Sequence, residues 1–246
     1  DDMLIVPHPS MSTFRGLTFS GTEQLRWCPG KLADRLTHAS TPVYIGPHLF
    51  FAVQNRVWCA NLHENPPSIK VVLARQDLRQ CSFAVPLAYE NVAVFPFRSG
   101  VYLFDTYEEK GAFIELRAQN ETDEWRSPVV CDDKLILLSR AGRLWVIDIL
   151  GRKPIKEAPL DLKGTCSAPC AVGTNVYFEF LEGAANDRWV CAYSPVDDSV
   201  VKAPLANELC SEDDLHLKFC PIQYRDSILI SSDVEPMFYQ VRRLAD

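Results

Sequence analysis

Four arginines recur at comparable places in the sequence, and they are the residues best suited to recognition chemistry. Arg56, Arg143 and Arg188 each stand directly ahead of an apolar run, and Arg98 lies two residues ahead of Gly100. A guanidinium is a planar fork of donors that fits a carboxylate or a phosphate. If the turns that carry them share one surface, Arg56, Arg98, Arg143 and Arg188 form a ring able to receive an anionic partner such as an acidic peptide or a phosphate. The alternative is that an exposed turn tolerates arginine without further consequence.

Other chemistry finds little support. The sequence contains no Gly-x-Ser-x-Gly elbow, no phosphate-binding Walker loop, no dinucleotide fingerprint and no His-Glu-x-x-His helix. His8, His38, His48, His63 and His216 lie far apart, mostly beside turn residues, and read as surface histidines. Cys166 and Cys170 have chelating spacing but no second pair at zinc-site distance, so packing is the expectation for them. Asp132-Asp133, Asp197-Asp198 and Glu212-Asp213-Asp214 read as solvated turns, because adjacent aspartates in turns point outward more often than they converge. Trp58, Trp145 and Trp189 fall at similar places in apolar runs and are expected to pack in a core. No catalytic, cofactor-binding or metal-ligating residue is assigned.

The elements that would position the arginines follow from an internal repeat. A proline ahead of an apolar stretch occurs at Pro42, Pro86, Pro128, Pro169 and Pro221, at intervals of 44, 42, 41 and 52. Six or seven residues after each proline a second apolar run begins, as at Leu49-Phe50-Phe51 and Leu135-Ile136-Leu137. A third run opens near an aromatic residue, as at Val57-Trp58-Cys59 and Val101-Tyr102-Leu103, and four repeats add a weaker fourth run near Val71, Ile114, Ile155 and Val200. Short runs rich in β-branched and aromatic residues, bounded by Gly, Asp, Asn, Ser and Pro, are strands joined by tight turns. Repeats near 38–80, 81–123, 124–163, 164–205 and 216–246 predict a single all-β domain over 1–246, and residues 3–27 supply closing strands or part of a further blade.

The unit Pro128-Val129-Val130, Leu135-Ile136-Leu137-Leu138, Arg143-Leu144-Trp145-Val146-Ile147-Asp148 resembles the pyrroloquinoline-quinone-like propeller repeat. Phe19 to Trp27 is similar to that repeat's outer strand, which ends in Trp, and Trp125 is a second candidate for that tryptophan. The resemblance implies a β-propeller of four-stranded antiparallel blades, five or six in number. Members of the family that bind the quinone are longer enzymes with more blades, and none of their ligand residues can be placed on this chain, so no cofactor is expected.

Bulk properties narrow the function. With 25 basic and 32 acidic residues the formal charge is -7 and the isoelectric point near 5.3, which disfavours non-specific attraction to nucleic acid or to anionic membrane. No apolar run reaches the eighteen or so residues of a membrane span. The start, Asp1-Asp2-Met3, lacks a signal peptide and an initiating methionine, so excision from a larger protein is expected. Nine cysteines, an odd number scattered through apolar stretches, read as reduced thiols and place the chain in the cytoplasm, with a secreted or periplasmic location as the alternative. Asn120-Glu121-Thr122 is a glycosylation acceptor only in the secreted case. The functional expectation is a non-enzymatic propeller scaffold whose partner is another protein or another domain of the parent chain. The alternatives are a carbohydrate-active or small-molecule-binding propeller using the mouth of the central channel, and a structural spacer.

Overall fold

The computed structural model describes residues 39–204, except 65–66, 82–83, 117–122, 159, 161, 163 and 183–186, together with the backbone of six flanking strands. All the described elements are strands, and among the described residues no helix is long and apolar enough to cross a membrane. The chain forms two compact units, one of residues 1–80 and 85–116, the other of residues 81–84 and 117–246.

The first unit opens with a three-stranded antiparallel meander, β1 (Met3–His8), β2 (Thr13–Thr18) and β3 (Glu23–Trp27). Two four-stranded antiparallel sheets follow, each in sequential order. They are β4 (Val43–Ile45), β5 (His48–Val53), β6 (Arg56–Asn61) and β7 (Ser68–Ala74), then β8 (Leu87–Tyr89), β9 (Val92–Phe97), β10 (Gly100–Asp105) and β11 (Lys110–Glu115). The second unit repeats the plan with β12 (Val129–Cys131), β13 (Lys134–Leu138), β14 (Leu144–Asp148) and β15 (Lys153–Ala158). Its next sheet holds β16 (Gly164–Cys166), β17 (Cys170–Val172), β18 (Asn175–Glu182), β19 (Asp187–Ser194) and β20 (Ser199–Pro204). A last meander comprises β21 (Ile222–Tyr224), β22 (Ser227–Ser231) and β23 (Phe238–Arg242).

The prolines set a common register. The residue after each one pairs with a residue seven further on: Val43 with Phe50, Leu87 with Val94, Val129 with Ile136, Cys170 with Tyr177 and Ile222 with Leu229. Pro42, Pro86, Pro128 and Pro169 each interrupt an inner strand whose earlier part pairs again with the far end of the second strand. That earlier part is represented by the bridges of Ala39 with Val53, Gln80 with Phe97 and Trp125 with Ser139, and by β16 through Cys166 with Phe180. The sheet with five strands is therefore a four-stranded sheet whose inner strand is divided around Pro169.

A serine two residues before the proline repairs the ladder at the break. The Ser40 N–H donates to the Ala52 carbonyl at 2.8 Å, and the Ser40 Oγ accepts the Ala52 N–H at 3.0 Å. Ser167 does the same for Glu179, at 2.9 Å in both directions. In the second sheet the register-equivalent residue is Pro96, which has no N–H to satisfy, and the residue two before Pro86 is Ala84.

Strands β9 and β10 are buried at every position, while the outer strand β7 alternates irregularly between exposed and half-buried. Continuous apolar runs are what a sheet covered on both faces requires. In the first unit Phe50 meets Phe104 with ring centroids 5.4 Å apart, and the Tyr102 hydroxyl donates to the Val72 carbonyl at 2.8 Å. In the second, Ile136, Leu138 and Val146 pack with Phe178, Phe180 and Cys191. Burial of a side chain of this size is worth about 1.5–3 kcal/mol over exposure.

Candidate functional site

The turns between the second and third strands define one end of each sheet, the hairpin end; the turns between the third and fourth strands define the outer-turn end. Arg56 opens β6 opposite Val53, and its guanidinium carbon lies 6.0 Å from the centre of the Trp58 ring. Arg56 is exposed, and Arg98 sits half-buried in the Arg98–Ser99 turn with its N–H donating to the Arg79 carbonyl at 2.9 Å. Arg143 pairs with Glu157 of the neighbouring strand, its Nε donating to Oε1 at 2.6 Å. Arg188 is 8% exposed and bonded to Glu179, itself 2% exposed, at 2.5 Å.

Ladder register shows why the four differ. Val53 pairs with Arg56, Phe97 with Gly100 and Phe180 with Trp189, while the Ser139 N–H donates to the Arg143 carbonyl at 2.7 Å. Arg56, Gly100, Arg143 and Trp189 are thus the equivalent positions. Arg98 is a turn residue, and Arg188 lies one step further out in a hairpin that continues to Glu182 and Asp187. A one-residue step turns a side chain to the other face of a strand. Arg188 therefore meets Glu179 in the interior, while Trp58 and Trp145 are equivalent to Cys191 and not to Trp189. Trp125 bridges Ser139, the residue that follows β13, and so belongs to the inner edge of its sheet, not to an outer strand.

Two arginines that the repeat spacing does not single out also lie at hairpin ends, one in each unit. Arg79 is exposed in the segment that follows β7, and Arg140 is exposed in the turn before Arg143. Among the described residues, Arg56, Arg79 and Arg140 have no carboxylate at ion-pair distance, whereas Lys70, Arg75, Lys134, Lys156 and Lys202 all do. Arg79 follows no repeat signal because it lies in a connection of irregular length. Arg140 was visible only as one more polar residue of a turn.

Beside Arg79 the first unit has an open hollow of about 530 Å³ lined by Gln54, Asn55, Gln76, Leu78, Arg79 and Gln80. Buried Leu78 contributes its apolar part, and the Gln80 Nε2 donates across it to the Gln54 carbonyl at 3.5 Å. No carboxylate belongs to the lining.

The remaining candidates fall where chemistry is least available. Cys59, Cys131 and Cys191 are buried thiols in no disulfide. Burial pushes the Cys59 thiol up to about 11 and the Cys191 thiol up to about 12. Cys166 is fully buried and its thiol is likewise raised by burial, while Cys170 is half-buried. Asp132 and Asp133 occupy turn conformations with φ of 51° and 56°, and Asp132 pairs with Lys134 at 3.1 Å. Asp198 accepts from Lys156 Nζ at 2.9 Å and from the Tyr193 hydroxyl at 2.9 Å, contacts that hold its carboxyl below the usual range. His38, His216 and the acidic run 212–214 lie outside the described residues. Among the described residues no three His, Cys, Asp or Glu side chains group closely enough to hold a metal ion.

No family model matches the sequence, and no curated protein matches it either. Among solved structures the chain is similar to BamB from Moraxella catarrhalis, with a TM-score of 0.60 and 14% identity over 94% of this chain and 67% of that one. It is also similar to apo AztD from Citrobacter koseri, with a TM-score of 0.52 and 12% identity over 82% of this chain and 56% of that one. Both are β-propellers, and with the repeated four-stranded antiparallel sheets they identify the fold as an all-β propeller. Identity at this level carries the fold and no activity.

Proposed function

We propose that this chain is a non-enzymatic β-propeller scaffold that binds another protein, or another domain of its parent chain, through the hairpin end of its sheets. The observation that carries the reading is the distribution of charge partners. Among the described residues, exposed Arg56, Arg79 and Arg140 at hairpin ends have no carboxylate at ion-pair distance, whereas Lys70, Lys134, Lys156 and Lys202 each have one. Exposed, unneutralised charge raises association rate and orients an encounter, which suits a docking face. Within the second unit Arg143 and Arg188 are held by Glu157 and Glu179, and within the first Arg56 is exposed and Arg98 half-buried in its turn. The buried thiols fit a reducing compartment, and we place the protein in the cytoplasm.

The test reverses charge at each end in turn. Arg56→Glu with Arg140→Glu is compared with Lys110→Glu and Lys153→Glu, which lie at the start of outer strands. Against a partner isolated with the wild-type protein, the first pair is expected to slow association and lose affinity at low ionic strength, with a smaller loss at ~0.15 M salt. The second pair is expected to bind as wild type. Equal loss from both pairs would remove the hairpin end from the reading.

A further inference from the structure

The hollow beside Arg79 differs from the rest of the surface in what lines it. Four amide side chains, Gln54, Asn55, Gln76 and Gln80, surround one exposed guanidinium above an apolar floor formed by Leu78. The protein as a whole is acidic, with 32 carboxylate residues against 25 cations, yet the residues that line this hollow include a guanidinium and no carboxylate. The nearby cations divide into two sets. Arg75 is turned away and consumed, stacked 4.4 Å from the Phe113 ring and bonded to Asp77 and Glu115. Arg79 carries no such partner among the described residues, and its main chain is fixed by the N–H of Arg98.

We infer that this hollow binds an acidic peptide segment, with Arg79 holding a carboxylate and the glutamine and asparagine amides meeting the segment's main-chain groups. This rests on the scaffold reading of the same end and names the chemistry of the partner. A guanidinium binds a planar carboxylate in a fork, and primary amides both donate and accept, as a peptide backbone demands. Nucleic acid is the less suited polyanion. No aromatic ring lines the hollow for a base to stack on.

The experiment uses the intact chain and two fluorescein-labelled peptides of equal length, one of glutamate and one of glutamine, followed by anisotropy at low and at ~0.15 M ionic strength. The glutamate peptide is expected to bind and the glutamine peptide to bind weakly or not at all. Arg79→Glu is expected to weaken binding by about tenfold or more, Arg79→Gln by less, and Lys153→Glu not at all. Because Arg79 is exposed, its replacements leave the core untouched, and the far-ultraviolet spectrum of each variant checks this. Equal affinity for the two peptides, an unaltered affinity in Arg79→Glu, or tighter binding of a single-stranded oligonucleotide would overturn the inference. Should the wild type fail to bind the glutamate peptide while Arg56→Glu with Arg140→Glu still loses the protein partner, this inference falls and the scaffold reading stands.

Discussion

Glu179 and Arg188 are a buried pair set on adjacent strands, and their value is in mutual dependence. Removing one charge leaves the other desolvated without compensation, a loss of about 3–5 kcal/mol in comparable pairs. Arg188→Met is therefore expected to lower the urea midpoint sharply, and adding Glu179→Leu to recover part of the loss; a double variant no better than the single would contradict this. The thiols give a pH prediction. Cys59 and Cys191 are raised from 9.0 to about 11 and about 12 by burial, so the folded state holds their protons when the unfolded state has released them. The stability they contribute is fully present below pH 9.0 and lost as pH rises through about 11 and 12. Replacing both with alanine should flatten part of the alkaline decline in the urea midpoint. Only part is expected to vanish, because burial also raises the hydroxyls of Tyr102 and Tyr193.

At the scale of elements, the break in each inner strand is the feature with the most physical content. Ser167 is fully buried and satisfies both main-chain groups of Glu179, so Ser167→Ala leaves a buried N–H without its acceptor. The expected cost is about 1–3 kcal/mol in chemical denaturation. Gly100 shows a tighter constraint. Its φ is +151°, and a Cβ there would stand 2.0 Å from the Ile114 carbonyl oxygen, so Gly100→Ala must displace the ladder between β10 and β11. Gly46, at φ +56° with nothing within 4 Å of its would-be Cβ, should lose only the ~1–2 kcal/mol of left-handed strain on the same substitution. Equal losses at the two positions would show that the close approach at Gly100 is relieved cheaply.

The same elements show what could be read from sequence alone. The constant step from proline to second strand was legible because the ladder ties it to backbone pairing, and five prolines repeat it. The arginine positions were less so. Distance from an apolar run says nothing of hairpin length, and β18–β19 is a longer hairpin, which carries Arg188 out of step with Arg56 and Arg143. Arg79 lies in a connection with no period to betray it, and the absence of a carboxylate around the hollow is a property of packing that no linear pattern records.

On the scale of the molecule, the propeller fold supplies rigid sheets whose turns vary without disturbing the core, an arrangement suited to presenting a surface. The central claim is that a protein partner contacts the hairpin end. Hydrogen exchange of main-chain amides with and without the partner tests it most directly, since the two ends of each sheet report separately in one experiment. Protection is expected at the turns around 54–56, 76–80, 98–99 and 139–143, with the outer turns around 106–109, 149–152 and 195–198 unchanged. Protection confined to those outer turns would contradict the account.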